Sequence, residues 1–291
     1  MHTKEEKLEA FGRLLDVQDR LRQECPWDRK QTTESLRPNT IEEVYELCDA
    51  LLNHDTQDTM KELGDVLEHI VFYALMGSES ADFDIADVCN QQADKLMFRH
   101  PFINWNEAGN WTVSNPDMKI NGRGQVVYRS EEVISEDHPE TASEVEMTWE
   151  QVKQKEKGGN KTVLSGVPNS LPSMIKAYRI QDKARNVGFD WKRPEDVWAK
   201  VREELGELEM ELKKQDSGKA TQELGDFLFS VINAARLYKL NPDNALELTN
   251  QKFIRRFEFI EETLKEKHKS FNDTSLEEMD KLWNEAKQNE K

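Results

Sequence analysis

A pattern of four acidic residues occurs once in each half of this chain. Its members are separated by three, sixteen and three residues, and the two copies are displaced by 161 positions. The residues are Glu43, Glu46, Glu62 and Asp65 in the first half, and Glu204, Glu207, Glu223 and Asp226 in the second. The surrounding letters agree as well, with ELGDVL at 62–67 and ELGDFL at 223–228. Matching spacing over so many positions indicates a tandem duplication of one structural unit.

The segments that carry the acids have the periodicity of amphipathic helices. Val197, Val201, Leu205, Leu208 and Leu212 recur at steps of three and four, which predicts one apolar stripe along a helix. Corresponding apolar positions elsewhere are Val44, Leu47, Cys48, Leu51, Leu63, Val66, Leu67, Ile70, Ala74, Leu224, Leu228, Val231 and Ala235. Segments 84–99 and 242–265 add one helix to each half. We therefore predict an all-α fold built from two similar helical bundles.

The middle of the chain interrupts this periodicity. Residues 104–137 are rich in Gly and Asn, and KINGRGQVVYR predicts a short hairpin around 121–124. A helix is predicted over 142–157, and a Gly-, Ser- and Pro-rich break, EKGGNKTVLSGVPNSLPS, follows. We expect three parts: an N-terminal helical domain over 1–103, an irregular insertion with a connecting helix over 104–160, and a C-terminal helical domain over 161–291.

The spacing of the acids indicates a cation site. Acids three residues apart lie on one face of a helix, about one turn apart, and each acid directly precedes an apolar residue. Short loops around 53–58 and 213–218 favour packing of the two helices as neighbours, so their carboxylates converge at the rim of the interface. Such a cluster needs a counter-charge. All-oxygen ligands suit Mg²⁺ or Mn²⁺, and such ions engage phosphates.

Basic residues on the following helices are candidates to bind phosphate oxygens that the cation does not hold. They are Lys95 and Arg99 in the first half and Lys252 and Arg256 in the second, each pair four residues apart. The alternative is that they are ordinary surface charges.

Three features have structural alternatives. Thr40 and Glu43 fit a helix-capping box, an explanation that does not extend to Glu204, about ten residues into its helix. Glycines in mid-helix suggest close approach of another backbone. These are Gly64 and Gly225. The tryptophans of PWD and GFDW, Trp27 and Trp191, are either core side chains or stacking partners for a base.

Composition excludes several other classes of protein. A chain of 291 residues suffices for two domains, and its net charge of −17 argues against a nucleic-acid-binding surface. The longest apolar run, 70–76, is far shorter than the ~20 residues of a membrane span. The N-terminus lacks the apolar core of a signal peptide, and three cysteines without zinc spacing fit reduced thiols. We expect a cytoplasmic protein with no membrane partner.

Several motifs together resemble one known family. CPWDRKQT, TIEEVYELCDALLN, KELGDVL, RHPF, RNVGFDW, REELGELEMEL and QELGDFL are similar to those of the MazG nucleoside triphosphate pyrophosphohydrolases in their two-domain form. The resemblance covers nearly the whole chain. It implies an all-α NTP pyrophosphohydrolase fold whose bundles pair in a homodimer. It also implies Mg²⁺-dependent hydrolysis of NTPs or dNTPs between the α and β phosphates, giving NMP and pyrophosphate by means of a metal-activated water.

The resemblance also implies roles for individual residues. The eight acids of the repeated pattern are the candidate metal ligands, with Glu203 nearby. Independently of the resemblance, our own hypothesis is that Glu203 or Glu204 is the base that helps to deprotonate the water. By resemblance, the candidate substrate contacts are Lys252, Arg255, Arg256 and Trp283. Lys95, Arg99 and Lys200 are further candidates that do not come from the resemblance. One departure stands out, because Glu68 occupies the first-half position at which the second half has Phe229. We therefore favour the second half as the active one and keep the first as a further candidate.

Two other functions fit the sequence. One is a catalytically silent helical module that binds a nucleotide or a protein partner. The other is a narrower enzyme, specific for dUTP or a modified nucleotide. Costly carboxylate clusters in both halves count against a silent module, whereas base preference depends on pocket shape, which the sequence does not define.

Overall fold

The computed structural model describes residues 1–107, 109–135, 138–156 and 162–289. Over these residues the chain forms ten α-helices and one small antiparallel sheet, which confirms the predicted all-α fold. The chain divides into two compact units, Met1–Gly159 and Asn160–Lys291. Among the described residues, no helix combines the length and the apolar character that crossing a lipid bilayer requires.

The first unit contains five helices and the two strands. Their bounds are α1 Lys4–Glu24, α2 Thr33–Leu52, α3 Thr56–Glu79, α4 Ile85–Arg99, β1 Met118–Ile120, β2 Val126–Tyr128 and α5 Ala142–Lys155. Helices α2 and α3 pack along each other and are joined by a very short loop. In that loop His54 has a left-handed backbone, and the Asp55 side chain accepts the N–H groups of Gln57 and Asp58 to cap α3.

The second unit contains the other five helices. Their bounds are α6 Ser173–Asn186, α7 Val197–Lys214, α8 Ser217–Leu237, α9 Pro242–Glu266 and α10 Leu276–Asn289. Helices α7 and α8 pack as α2 and α3 do. Their loop repeats the same geometry, because Gln215 is left-handed and the Asp216 side chain caps α8 by accepting the N–H of Lys219. The duplication read from the acids therefore extends to the loop between the helices.

The middle segment packs better than its composition suggests. Strands β1 and β2 form the predicted hairpin, with Met118 opposite Tyr128. Gly124 in the turn has φ +77°, and a Cβ there would collide with the Asn104 side chain, so this position requires glycine. The hairpin joins α4 and α5 in one buried apolar cluster, formed by Met97, Phe98, Met118, Val126, Val127, Tyr128, Ile134 and Val152. The predicted connecting helix is observed as α5, and Lys157 at its expected end lies outside the described residues.

The predicted apolar stripes are only partly buried. The expectation that they form the interface between the paired helices is therefore only partly correct. Val197 and Val201 are buried with Ala234 between α7 and α8, but Leu205, Leu212 and Leu228 are exposed. The corresponding first-half residues Val44, Leu51, Leu63, Leu67 and Ile70 are exposed as well. The seam between the paired helices instead contains acidic residues in line with the buried valines, and the leucine-rich faces point away from it.

Two local expectations are wrong. Thr40 does not begin a helix, because it lies inside α2, where its hydroxyl contacts the Leu36 carbonyl and the Tyr73 hydroxyl. Glu43 therefore has no capping role. A Cβ built on Gly64 or Gly225 would meet nothing within 4 Å, so within the described chain neither glycine accommodates a closely packed backbone.

Candidate active site

Three carboxylates of the second unit meet between α7 and α8. Glu204, Glu207 and Glu223 each place one carboxylate oxygen within 4.8 Å of the other two. Glu204 follows Val197 and Val201 along the buried side of α7, and only 7% of it is exposed. This side of α7 packs on α8. The helix therefore places the carboxylate of Glu204 in the interface between the two helices, where an apolar side chain is usual.

The charges of this cluster affect one another. The pKa of Glu207 is raised above its ordinary value by desolvation and by the negative charges of Glu204, Glu223 and Glu203. Lys200 partly offsets these charges, since its Nζ lies 2.7 Å from Glu204 and 2.9 Å from Glu203. The hydrogen bonds to Glu204 and Glu203 raise the pKa of Lys200 in turn, so this ammonium stays charged across the physiological range.

The first unit contains a matching cluster between α2 and α3. Glu43, Glu62 and Asp65 place one carboxylate oxygen each within 4.8 Å of the others. Glu62 is only 2% exposed, and its Oε2 has no hydrogen-bond partner among the described residues, while Lys61 lies 2.5 Å from its Oε1. Desolvation raises the pKa of Glu43, and Glu46, Asp65 and Glu62 add to the rise. A buried oxygen without a donor, among like charges, is the arrangement that a cation satisfies.

Each cluster brings together three of the four acids of the repeated pattern. Glu46 lies outside the first cluster and Asp226 outside the second. The first cluster lacks the second position of the pattern, and the second cluster lacks the fourth. Each of the four positions therefore belongs to at least one of the two clusters. The clusters consist of carboxylate oxygens alone, which fits a hard divalent cation. Either one could hold such an ion.

A cavity of about 620 Å³ lies beside the second cluster. Its lining includes Lys200, Glu204 and Asp226, together with the aromatic side chains of Phe189, Trp191 and Phe229. Trp191 is therefore not a core residue, and neither is the exposed Trp27 of the first unit. The lining of the cavity therefore combines charged side chains with apolar ones.

The first unit differs at the position of Phe229. There the half-buried Glu68 has its pKa raised to about 7, first by burial and then by Asp28 and Asp65, while the neighbouring Gln18 opposes the rise. Helices α2 and α3 nevertheless pack along their length. The interface between α2 and α3 thus accommodates Glu68, but burial there makes its carboxyl group harder to ionise.

The predicted basic residues have varied surroundings. Arg99 forms a two-point ion pair with Glu156, the residue that follows α5, at 2.5 and 2.8 Å, so it is not an ordinary surface charge. With the exposed Lys95 it lines a polar cavity next to the hairpin. Arg256 lies over the ring of Trp283, 5.3 Å from its centroid. Lys252 and Arg255 are exposed on the same helix, α9.

Some side chains at the second site were not predicted. Arg236, buried in α8, forms a two-point ion pair with Asp190 of the GFDW segment. Gln181 of α6 is buried in the cavity lining. The sequence signal for the first is an arginine within the mostly apolar segment 227–237, because its partner lies 46 residues away. Gln181 has no sequence signal, since its importance depends on the packing of α6 on α8.

Comparison with known proteins adds a family relationship. The MazG nucleotide pyrophosphohydrolase domain is matched twice, at residues 31–103 and 192–259, and each match contains one copy of the four-acid pattern. The chain is 35% identical to a nucleoside triphosphate pyrophosphohydrolase of Escherichia coli K12, over 97% of this chain and 99% of that protein. A nucleoside triphosphate pyrophosphohydrolase/pyrophosphatase MazG of Thermotoga maritima is 36% identical, over 95% of each chain. The uncharacterized protein YabN of Bacillus subtilis is 38% identical, over 99% of this chain and 54% of its own length.

Proposed function

The chain belongs to the MazG family of nucleotide pyrophosphohydrolases, and on this premise we propose that it hydrolyses nucleoside triphosphates between the α and β phosphates. The products are a nucleoside monophosphate and pyrophosphate, and the cofactor is Mg²⁺, for which Mn²⁺ can substitute. Support comes from the names of the two relatives that match along nearly their full length, both of which are nucleoside triphosphate pyrophosphohydrolases.

One observation carries the assignment of the site. Glu204, Glu207 and Glu223 converge within 4.8 Å from two packed helices, beside a cavity large enough for a nucleoside. Desolvated carboxylates repel one another, as the raised pKa of Glu207 indicates, so the cluster is costly unless a cation occupies it. A bound Mg²⁺ would polarise a phosphoryl oxygen and lower the pKa of the attacking water.

Side chains of the protein are assigned to cation binding, to proton transfer and to contacts with the phosphates. Glu204 and Glu207, with Glu223 and Asp226, would hold the cation. Glu203, which is exposed and paired only with Lys200 among its described contacts, would accept the proton of the water. Lys200 lines the cavity next to Glu204, so its ammonium is within reach of a phosphate oxygen. Lys252, Arg255 and Arg256 supply further positive charge to the triphosphate, and Trp283, which stacks on Arg256, orients that group.

The second unit is the better candidate for turnover. Its acids Glu204 and Asp226 line the cavity together with Phe229. The first unit has the half-buried Glu68 at the position that corresponds to Phe229. Arg99, the first-unit counterpart of Arg256, is engaged by Glu156. Glu43, Glu46, Glu62 and Asp65 remain a second candidate metal site.

The exposed leucine-rich faces support a homodimer. Leu205 and Leu212 of α7 and Leu224 and Leu228 of α8 are all at least 40% exposed. Several exposed apolar side chains on two packed helices favour a protein interface. A second copy of the same chain, meeting this face with its own bundle, would bury it.

Product analysis tests the proposed reaction. The purified protein is incubated with Mg²⁺ and each common NTP and dNTP, and the products are resolved by ³¹P NMR. We expect a monophosphate and pyrophosphate in equal amounts with at least one nucleotide, and no reaction when the cation is chelated. Orthophosphate with a diphosphate would reject the predicted bond, and the absence of turnover with every nucleotide would favour a silent binding module.

A substitution in the cluster supplies the control. Glu207→Gln removes one candidate ligand charge while keeping the shape of the side chain, so we expect kcat/KM to fall by at least about 100-fold, since even outer-sphere partners of a metal contribute 10–100-fold. The exposed acid Glu258, on α9, gives the matched variant Glu258→Gln, for which we expect unchanged activity. Circular dichroism should show the same helix content in both variants.

A further inference from the structure

A polar cavity of about 660 Å³ lies in the first unit, apart from both carboxylate clusters. Its described lining comes from α4, from residues 114–116, from Met118 and Tyr128 of the hairpin and from Glu156. This lining contains none of the eight acids of the repeated pattern. The volume falls in the range of small-molecule sites, and the cavity has no role in the proposed reaction.

An insertion in the first copy of the repeat supplies one wall of the cavity. Trp149 in α5 and Trp283 in α10 begin the similar stretches WEQVKQKEK and WNEAKQNEK, so α4 and α5 correspond to α9 and α10. Residues 100–141 separate α4 from α5, whereas residues 267–275 separate α9 from α10. The hairpin belongs to the longer connection, so the wall that it forms is specific to the first unit.

The basic residues of α4 have different surroundings from those of α9. In the second unit, Arg256 lies over the ring of Trp283. Its counterpart Arg99 lines the cavity instead. Trp149, the counterpart of Trp283, packs against the ring of His100, with 5.1 Å between the centroids. The role of the basic residues in the second unit therefore does not carry over to the first.

The wall on the side of the hairpin is fixed in place. Asp94 of α4 is only 5% exposed and accepts the backbone N–H groups of Ser114 and Asn115, at 3.1 and 2.7 Å. The buried rings of Phe98 and Tyr128 also line the cavity, with their centroids 5.3 Å apart. The polar groups of the lining are therefore presented from a preorganised structure.

The other acids of the described lining also have donors. Both carboxylate oxygens of Glu156 accept hydrogen bonds from the Arg99 guanidinium. Asp87 lies in the first turn of α4, where it accepts the Asp84 N–H and its charge is offset by the positive end of the helix dipole. Unlike the two carboxylate clusters, these acids do not require a cation.

Several donors of the lining have no acceptor. The side chains of Lys95, Asn90 and Gln91 form no hydrogen bond or ion pair with the described residues. Arg99 uses Nε and Nη2 to bind Glu156, which leaves its Nη1 without a partner in the described chain. An ammonium, a guanidinium nitrogen and two amides suit a ligand group with negative charge and several acceptor oxygens. A phosphate group has both properties.

We propose that the cavity between α4 and the hairpin is an anion site, which binds a small molecule by its phosphate group. Lys95 and Arg99 Nη1 bind the charge, and the amides of Asn90 and Gln91 donate to the remaining oxygens. The site requires no metal ion and is independent of the proposed reaction. Inorganic phosphate, pyrophosphate and phosphate esters share this chemistry, so the test includes each of these sources.

Calorimetry on the metal-free full chain tests the site. A chelator keeps cations off the carboxylate clusters, so no phosphate is bound there through a metal ion. The probes are inorganic phosphate, pyrophosphate and glycerol 3-phosphate, and we expect saturable binding of at least one. Tighter binding of glycerol 3-phosphate would identify phosphate esters as the ligand class, and the reverse order would identify the free ions. No binding of any probe overturns the proposal.

Two neighbouring glutamines of α4 supply matched variants. Gln91→Glu places a negative charge in the lining, whereas Gln92→Glu makes the same change outside the described lining. Both side chains are exposed, so both variants should fold. We expect the affinity for the probe to fall at least about fivefold in Gln91→Glu, the effect of two like unit charges about 4 Å apart in water. Gln92→Glu should bind as the unmodified chain does. Equal affinities in the two variants contradict the assignment.

Hydrogen exchange shows where the phosphate binds. With the tightest probe at saturation, the amide hydrogens of α4 and of residues 114–128 should exchange more slowly, because a ligand that binds only the closed structure suppresses local opening. Protection confined to the second unit would place the phosphate among the basic residues of α9 and overturn the proposal. Neither measurement involves turnover, so failure of the proposed reaction leaves this test unaffected.

Discussion

Glu68 shows how one substitution between the halves changes the chemistry of a seam. Its pKa of about 7 results from burial first and from Asp28 and Asp65 next. The equivalent position in the second unit is Phe229, which does not ionise and lines the cavity. The helix pair of the first unit therefore has an extra titratable acid at this position, whereas the pair of the second unit has an aromatic ring there.

The raised pKa of Glu68 gives a signed prediction for stability. Between an unfolded pKa near 4.5 and a folded pKa of about 7, the folded chain keeps a proton that the unfolded chain has released. The metal-free protein should therefore lose stability as pH rises through that window and level off above it. Glu68→Gln removes the group that must ionise, so it should reduce this loss of stability with rising pH. The rest of the loss comes from other acids with a raised pKa, such as Glu43 and Glu207.

Melting temperatures in the presence of a chelator measure this effect. The unmodified protein and Glu68→Gln are compared between about pH 5 and pH 8, with Glu258→Gln as the control for an exposed acid. We expect a difference of a few degrees that grows with pH in favour of Glu68→Gln. Parallel curves for the two proteins would show that Glu68 titrates normally.

Helices α7 and α8 illustrate what periodicity predicts and what it does not. Steps of three and four located these helices and their neighbours, because helix formation depends on nearby residues. Periodicity did not reveal which side of the stripe each helix buries. Val201 and Glu204 lie in the seam while Leu205 is exposed, since the choice between adjacent faces depends on the partner helix.

The exposed leucine face leads to a prediction about assembly. Leu228 lies near the middle of α8 and is 48% exposed, so Leu228→Glu places a charge within the proposed interface without disturbing the seam with α7. We expect the unmodified chain to be a dimer and this variant to have half its molar mass in light scattering coupled to size exclusion. Leu240→Glu, exposed outside the stripe, should remain dimeric. A monomeric unmodified chain would contradict the dimer.

Long-range partners explain most of what the sequence did not provide. Arg99 pairs with Glu156, 57 residues away, and Arg236 with Asp190, 46 residues away. Neither pairing has a local pattern. The hairpin of 118–128, by contrast, was predicted from its turn residues, although the buried cluster that it forms with α4 and α5 was not.

The duplication is the feature of the whole molecule from which most of the candidate site was predicted. Identical spacing in two copies identified the eight acids, and the structure brings six of them into two clusters of three. It also repeats the left-handed residue and the aspartate cap between the paired helices. The difference between Glu68 in the first copy and Phe229 in the second was evident from the sequence, but the cavity beside the second cluster, which Phe229 lines, was not.

The central claim is that acids from two packed helices hold a divalent ion against a polyphosphate. Anomalous diffraction from crystals soaked in Mn²⁺ and an α,β-methylene nucleotide tests it most directly. We predict a manganese peak about 2.1 Å from carboxylate oxygens of Glu204, Glu207 and Glu223, with phosphate oxygens completing its coordination. A peak elsewhere, or none, with these side chains turned into solvent, would contradict the account.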